Sequence, residues 1–216
     1  MATKRYDAIL DAALTAFAKN GFDGIGLREI AKTAGVAAAT INYHFETKEK
    51  LFQEVVRRGA ERSVRRRLER LDVVLSEGKN VALEDIVRAL FHIYNMPPEE
   101  ISLADYQFNQ LVVRFGFPDN EFARNVVHTP FADMALHFIE AMMKTRDGFT
   151  RQTAARAYLW SLPMGMTAIS QNVRYARLAA IDPNDPRNVH SFDELIDIVC
   201  VGMRALAKAK SAPGKR

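Results

Sequence analysis

The 216-residue sequence predicts an all-α protein, in which an N-terminal three-helix helix-turn-helix domain is followed by a C-terminal helical bundle. Three observations favour this class. Apolar residues recur at helical spacing along most of the chain, and no strand-like alternation lies between turn residues. Residue types that start and end helices separate the segments. Hydrophobic residues make up 48% of the chain and charged residues 26%, which excludes disordered and fibrous proteins.

Four helices are predicted in the N-terminal segment. The first ends at Asn20-Gly21, a pair that is typical of a helix C-terminus. A short helix over about residues 27–34 is followed by Gly35, which turns the chain into a second short helix. Thr47 is placed to cap a long fourth helix. Two short helices around one glycine indicate a helix-turn-helix.

Five longer helices are predicted beyond Gly78, which brings the expected number to nine. They are expected over about residues 82–95, 98–115, 119–145, 151–177 and 192–209. Pro98 falls in the first turn of the second of these, and Ser191 begins a capping box ahead of the last. Pro130 and Pro163 are expected to interrupt the long helices and to leave room for cavities.

The net charge of +4 is unevenly distributed. Residues 1–70 hold 14 Lys and Arg against 9 Asp and Glu, residues 71–203 hold 11 against 17, and residues 204–216 hold 5 against none. A basic first third favours a module that faces a polyanion. Charges in the first seven residues do not fit a signal peptide, and the uncharged window 157–173 is too polar for a bilayer span. We therefore expect a cytoplasmic protein without a membrane segment.

The informative motif lies in residues 21–52. The second helix of a helix-turn-helix enters the major groove, so its start must carry small or hydrogen-bonding side chains. Residues 37–39 are alanines and permit close approach, as does Thr40, whereas Asn42 has the donor and acceptor pair that reads adenine. Side chains suited to phosphate oxygens follow at Tyr43, His44 and Lys48.

This pattern resembles the DNA-binding domain of the tetracycline-repressor (TetR) family of bacterial regulators, over residues 5 to about 58. The residues that match the usual types of that family are Phe17, Gly21, Ile30, Ala31, Gly35, Val36, Thr40, Tyr43, Phe45, Lys48 and Leu51. The resemblance implies two groups of DNA contacts. Arg28, Ala38, Thr40 and Asn42 would face the groove, and Tyr43, His44 and Lys48 would contact phosphates.

Two departures from the family pattern affect these roles. Gly26 stands where the family often has Thr or Ser, so a helix cap and a phosphate contact are in question. Asn42 replaces a frequent Tyr, and the alanine run removes long side chains that read bases. We therefore expect sequence choice to depend on Arg28, Asn42 and DNA shape.

The resemblance also implies a homodimer that binds a palindromic double-stranded DNA operator. We predict a DNA-binding domain over residues 1–52, a ligand-binding and dimerisation domain over 53–210, and a disordered tail over 211–216. The last two helices are expected to form a four-helix bundle between subunits. Their predicted apolar stripe consists of Leu195, Ile196, Val199 and Met203, with part of the 157–176 face.

A small apolar or amphipathic effector is the second expected partner. Aromatic and methionine side chains of the C-terminal part are candidates to contact it, namely Phe108, Phe131, Met134, Trp160 and Met164. For any single one of them, a place in the hydrophobic core is the better interpretation.

Alternatives remain open. The chain lacks the common catalytic motifs, and no cofactor is predicted, so an enzyme or a carrier of an apolar metabolite is the weaker hypothesis. A regulator without an effector, or an activator, is a further one. The arginine-rich segment 57–70 is either a solvated surface or a second nucleic-acid patch. His137 and Glu140 show only weak metal spacing, and Cys200 is expected to be a buried thiol of the dimer interface instead of a redox switch.

Overall fold

The computed structural model describes residues 2–76, 78, 81–94, 100–115, 121–170, 177–180, 182 and 192–208. Every regular element in these residues is helical, which confirms the all-α class. The α-helices are α1 (Ala2–Asn20), α2 (Leu27–Ala34), α3 (Ala38–Phe45), α4 (Lys48–Ser76), α5 (Leu83–Leu90), α6 (Leu103–Phe115), α7 (Glu121–His128), α8 (Ala132–Met143), α9 (Arg151–Ser170) and α10 (Phe192–Lys208). Short 3-10 helices cover His92–Tyr94 and Thr129–Phe131.

The chain forms two compact units. The first consists of Met1–Arg65 and Pro97–Ala132, and the second of Arg66–Met96 and Asp133–Arg216. The predicted boundary at residue 52, between a DNA-binding domain and a ligand-binding and dimerisation domain, concerns function instead of compactness. It stays a prediction.

An aromatic cluster forms the core of the first unit. Phe52 of α4 is fully buried, and its ring centroid lies 5.2 Å from Phe17, 5.2 Å from Phe22 and 5.3 Å from Phe115. These rings come from α1, the α1–α2 loop, α4 and α6. Arg114 of α6 also donates hydrogen bonds to the last carbonyls of α1. Helix α6 is therefore an integral part of the unit that contains the helix-turn-helix.

Glycine permits a close contact between α4 and α6. A Cβ atom at Gly59 would lie 2.2 Å from Cδ2 of Phe108, whose side chain is buried. This contact requires the absence of a side chain at Gly59, since real Cβ contacts are not this short.

In the second unit, α5, α9 and α10 pack around Phe91, which is fully buried and stands 3.1 Å from the Cβ position of Gly165. Arg204 ties the unit together. Its guanidinium donates to both carboxylate oxygens of Glu84, at 2.5 and 2.8 Å, and to Oδ1 of Asp147 at 2.9 Å. This pairing with Arg204 holds the pKa of Glu84 below its ordinary value of 4.5.

Several predicted boundaries are wrong. The segment predicted as one helix over 119–145 is divided into α7, a 3-10 turn and α8, because Pro130 has no N–H and its ring clashes with the preceding turn. Pro163 lies inside α9, so the interruption expected there does not occur. The segment predicted over 82–95 ends as an α-helix at Leu90 and continues as a 3-10 turn.

The helix predicted from Pro98 begins at Leu103 instead. Ser102 caps it, since its Oγ accepts the backbone N–H of Asp105 at 3.1 Å and donates to that carboxylate. Ten α-helices have both ends within the described residues, so the expected nine is also wrong. Pro98, the Ser191 capping box and the 211–216 tail lie outside the described residues.

Candidate nucleic-acid interface

The turn between α2 and α3 follows from a left-handed glycine. Gly35 has φ 67° and ψ 32°, a conformation that favours glycine, and its N–H donates to the carbonyl of Lys32. The N–H of Val36 donates to the carbonyl of Ala31 at 3.0 Å. This Schellman-type ending of α2 aims the chain into α3.

Buried apolar residues hold the two short helices against each other. Ile30 and Ile41 are fully buried, Ala31 is 2% exposed and Phe45 is 4% exposed. These side chains fix one face of α3 to the unit. The opposite face of α3 is thereby left for contact with another molecule.

That outer face consists of small and polar residues with one exposed aromatic ring. Asn42 is exposed, and Ala38 and Thr40 are half-buried. Tyr43 is 83% exposed, which is unusual for a large aromatic residue in a folded monomer. The face can approach a groove closely and carries hydrogen-bonding groups at its edge.

The start of α4 adds a cation beside α3. Thr47 Oγ1 accepts the backbone N–H of Lys50 at 3.2 Å, which confirms the predicted cap. Lys48 is half-buried and its Nζ lies 4.6 Å from the ring centroid of Phe22. This cation–π contact restricts the ammonium group while leaving it hydrogen-bonding capacity.

Helix α2 begins without a capping hydroxyl group. Gly26 occupies its N-cap, and the N–H of Gly26 donates to Glu29 Oε2 at 3.1 Å. Only the glutamate half of a capping box is therefore present. Arg28, in the first turn of α2, is exposed.

A strained turn joins α3 to α4. Glu46 has φ 58° and ψ −53°, and the N–H of Thr47 donates to the carbonyl of Phe45 at 2.5 Å. This i to i+2 bond with positive φ is a γ-turn, a conformation that side chains rarely adopt. The turn sets the angle between α3 and α4.

Tyr6 of α1 is a member of this region that sequence reasoning missed. Its ring stacks on Phe45 with centroids 5.1 Å apart, and its centroid lies 5.8 Å from that of His44 in a T-shaped arrangement. Its hydroxyl group donates to Glu54 Oε1 at 2.8 Å. Burial and the Glu54 carboxylate raise the pKa of Tyr6 to about 12, so its phenol is neutral. Tyr6 lies three residues before the buried Ile9, and this helical spacing could have predicted that Tyr6 lies on the inner face of α1.

Most arginines of α4 have partners within the chain. The pairs are Arg57 with Glu54 and Glu61, Arg58 with Asp7 and Asp11, Arg62 with Asp105, Arg67 with the carbonyl of Leu90, and Arg70 with His92. Charges that are engaged in this way favour a structural and solvated surface over a second nucleic-acid patch.

The five effector candidates fall in both units. In the first unit, Phe108 is buried and its ring lies 6.5 Å from that of Phe131. In the second unit, Met134 is buried, whereas Trp160 is 60% exposed and Met164 is 38% exposed. Their assignment to an effector site stays a prediction.

The apolar stripe predicted for the dimer interface is turned inward. Ile196, Val199 and Met203 are buried within their own unit, and Leu195 is half-buried. Helix α10 also has a second apolar face, which is exposed. The regular spacing of the buried apolar residues does not reveal this second face in the sequence. The exposed apolar side chains of α9 and α10 are Leu159, Trp160, Met164, Ile198 and Val201. We call this set the α9–α10 patch.

Within the described residues, three further properties concern metal binding, membrane crossing and the thiol of Cys200. No group of three or more His, Cys, Asp or Glu side chains in that part of the chain could hold a metal ion. None of its helices combines the length and apolar character that crossing a bilayer requires. Cys200 is buried within its own unit instead of at the predicted interface, and burial raises the pKa of its thiol to about 12. Such a thiol is inert near neutral pH.

A helix-turn-helix with an exposed outer face on its second helix is the arrangement that DNA-binding proteins of this class present to the major groove. Residues 9–55 match the family model described as bacterial regulatory proteins, tetR family. This N-terminal segment therefore resembles the DNA-binding domain of the tetR family of bacterial regulatory proteins, as the sequence motif predicts.

Relatives with matching sequence are transcriptional regulators. The chain is 37% identical over 51 residues to IcaR of Staphylococcus aureus (strain Newman), the negative transcriptional regulator of the biofilm operon icaADBC. It is 36% identical over 50 residues to IcaR of Staphylococcus epidermidis. The first match covers 24% of this chain and 27% of the relative, so the chain spans about a quarter of the length of the curated relatives it matches.

Solved structures share the fold over nearly the whole chain. A protein from Rhodococcus sp. that is described as a TetR-family transcriptional regulator has a TM-score of 0.59 at 20% identity, with 93% of this chain and 99% of that chain covered. One from Shewanella sp. PV-4 has a TM-score of 0.64 at 17% identity, with 94% and 96% covered. At these identities the likeness concerns the fold alone.

Proposed function

We propose that the protein is a homodimeric transcriptional repressor that binds a palindromic operator and leaves it when a small apolar or amphipathic effector binds. The observation that carries the DNA-binding part is the outer face of α3, where an 83% exposed Tyr43 stands beside small and polar residues on a helix fixed from behind. Two such helices must lie roughly 34 to 36 Å apart to reach successive major grooves, so the operator should be palindromic.

The negative sign of regulation is supported by the relatives. The staphylococcal proteins that match the DNA-binding segment are negative transcriptional regulators. A repressor acts by occupying its operator, and an effector that prefers a form with altered spacing of the two α3 helices lowers operator affinity by its differential affinity for the two forms.

Dimerisation is supported by the α9–α10 patch. Five large apolar side chains, including a tryptophan, are exposed on two neighbouring helices of the second unit. Apolar patches of this kind mark protein interfaces, because their exposure to water is unfavourable. A second copy of the chain, placing the same two helices against this patch, forms a four-helix bundle with closed symmetry.

Operator binding is tested by titrating labelled duplexes with the protein at fixed salt and following fluorescence anisotropy. The duplexes are the DNA upstream of its own coding sequence and a scrambled duplex of the same composition. We expect binding to the upstream duplex to be at least about a thousandfold tighter, the lower end of the range of specific regulators. Equal affinity for both duplexes would reject specific regulation.

Matched variants separate the interface from general effects. Tyr43→Ala should weaken binding to the upstream duplex, whereas Tyr106→Ala should not, since Tyr106 is a 51% exposed tyrosine of α6. For dimerisation, Val201→Lys should shift sedimentation towards the single chain. Val73→Lys is the control, because Val73 is a 53% exposed valine outside the α9–α10 patch.

A second candidate is a regulator without a small-molecule effector. The observation that favours it is the exposure of Trp160 and Met164, two of the five predicted effector contacts. Under this alternative the two side chains belong to the dimer interface only. Replacing Phe108 or Met134, which are buried, would then alter stability without altering the response of DNA binding to any small molecule.

A further inference from the structure

We propose that Tyr6 is a positioning residue for DNA binding, because its ring holds the C-terminal end of α3 in the orientation that brings Tyr43 and His44 to the DNA. The inference rests on the proposed function. It concerns a residue that lies on α1, outside the helix-turn-helix itself.

The ring of Tyr6 contacts two consecutive residues of α3. It stacks on Phe45 with centroids 5.1 Å apart and 25° between the planes, and it forms a T-shaped pair with His44, with centroids 5.8 Å apart and 78° between the planes. Both geometries are favourable for aromatic pairs. The ring of His44 in turn lies 5.3 Å from Tyr43 at 76°, so a continuous series of rings runs from α1 to the 83% exposed Tyr43 of α3.

The other end of Tyr6 is fixed to α4. Its hydroxyl group donates to Oε1 of Glu54, and Arg57 donates to both oxygens of the same carboxylate, at 2.7 and 2.5 Å. The hydrogen bond from Arg57 is the main reason that the pKa of Glu54 is lowered. Glu54 is therefore a charged acceptor that holds the phenol in place.

His44 depends on these rings for its orientation. Within the described part of the chain, its aromatic neighbours are the rings of Tyr6, Tyr43 and Phe45. Phe45, by contrast, is 4% exposed and packed in the core on its own account. Loss of the Tyr6 ring therefore releases His44 first, while the core that holds α3 remains.

The test compares variants of the full chain in the anisotropy titration with the upstream duplex. Tyr6→Phe keeps the ring and removes the hydroxyl group, Tyr6→Leu removes the ring, and Tyr106→Leu makes the same change at an exposed tyrosine of the same unit. We expect Tyr6→Leu to weaken binding about tenfold, the size that two lost ring contacts predict. Tyr6→Phe should recover affinity to within about threefold of the unmodified protein, and Tyr106→Leu should bind like that protein.

A double-mutant cycle with His44→Ala shows whether Tyr6 acts through His44. In the His44→Ala background, Tyr6→Leu should cost less than about threefold, because the group that it positions is gone. Any one of three results would overturn the inference. The first is a full tenfold loss of affinity from Tyr6→Leu in the His44→Ala background. The others are a Tyr6→Phe variant that binds as weakly as Tyr6→Leu, and a Tyr6→Leu variant with unchanged affinity.

One measurement does not depend on the variants folding. In the unmodified protein without DNA, nuclear Overhauser effects should connect the ring protons of Tyr6 with those of His44 and Phe45, and their absence would overturn the inference directly. The two proposals fail separately. If the unmodified protein binds upstream and scrambled duplexes equally, the proposed function fails, and the Overhauser measurement still decides whether Tyr6 holds the end of α3.

Discussion

Adding one methyl group at Gly59 is expected to destabilise the protein, although alanine is the better helix former. The Cβ of Gly59→Ala would lie 2.2, 2.5 and 2.6 Å from three ring carbons of Phe108. Phe108 is 2% exposed and stacks on Phe131, so its ring has little room to move. The clash therefore has to be relieved by displacing α4 from α6.

The magnitude follows from two opposed effects. Replacing glycine by alanine inside a helix contributes about 1 kcal/mol of stability. Overpacking a filled core costs about 1 to 3 kcal/mol, and a 2.2 Å approach belongs at the upper end. The net expectation for Gly59→Ala is a loss of about 1 to 2 kcal/mol in the free energy of unfolding.

Helical glycines elsewhere in the chain provide a graded control. Apart from the adjoining residues and backbone of its own helix, no atom of the described residues lies within 4 Å of the Cβ position of Gly202, so Gly202→Ala should gain about 1 kcal/mol, provided that sedimentation shows an unchanged assembly. Gly165→Ala, whose Cβ would lie 3.1 Å from the Phe91 ring, should fall between the two.

Urea unfolding followed by circular dichroism, at one protein concentration, measures all three variants. If Gly59→Ala is as stable as Gly202→Ala, the reasoning is wrong. The double variant Gly59→Ala with Phe108→Leu gives a second check. It should be more stable than the sum of the two single changes predicts, because the smaller side chain removes the clash.

Three further predictions concern the DNA interface and the second unit. Lys48→Ala should weaken binding to every duplex and flatten its salt dependence, whereas Asn42→Ala should cost about 1 to 3 kcal/mol only at duplexes that carry the preferred base pair; equal behaviour in anisotropy titrations would contradict the assigned roles. Glu46→Gly should raise the free energy of unfolding by about 1 kcal/mol, because glycine adopts φ 58° without strain. A urea titration that shows a loss of stability would contradict the strained γ-turn at Glu46. The lowered pKa of Glu84 makes its pairing with Arg204 stabilising above its ordinary pKa of 4.5, and this contribution is lost as the pH falls through the lower folded value. In Glu84→Gln, the free energy of unfolding should therefore fall less steeply as the pH is lowered from 6, measured by urea unfolding at each pH. An unchanged fall would mean that other carboxylates cause the loss of stability in acid.

Local signals in the sequence were sufficient for the helix-turn-helix. Gly35, Thr47 and the buried isoleucines act over three or four residues, so their spacing predicts the turn, the cap and the packed face directly. The long helices were harder to delimit. Pro163 remains inside α9, because a proline signals a weakened helix and the surrounding packing decides whether the helix ends.

Contacts between distant segments were not accessible from the sequence. Helix α10 carries apolar residues on two faces, and periodicity alone does not say that Val199 points inward and Val201 outward. The pairing of Tyr6 with Glu54 joins residues 48 positions apart, so no local pattern could predict it. A resemblance to a family predicts which residues contact DNA, but it does not identify the other side chains that hold those residues in place.

The place of α6 has a practical consequence for dissection of the molecule. A fragment that stopped shortly after the helix-turn-helix would leave Phe52 without Phe115 and the last carbonyls of α1 without Arg114. It would expose a newly cut aromatic surface to water and would tend to aggregate. Excision of an autonomous head for spectroscopy therefore has to retain the non-contiguous stretch 97–132, spliced to residues 1–65, instead of ending where the recognition motif ends.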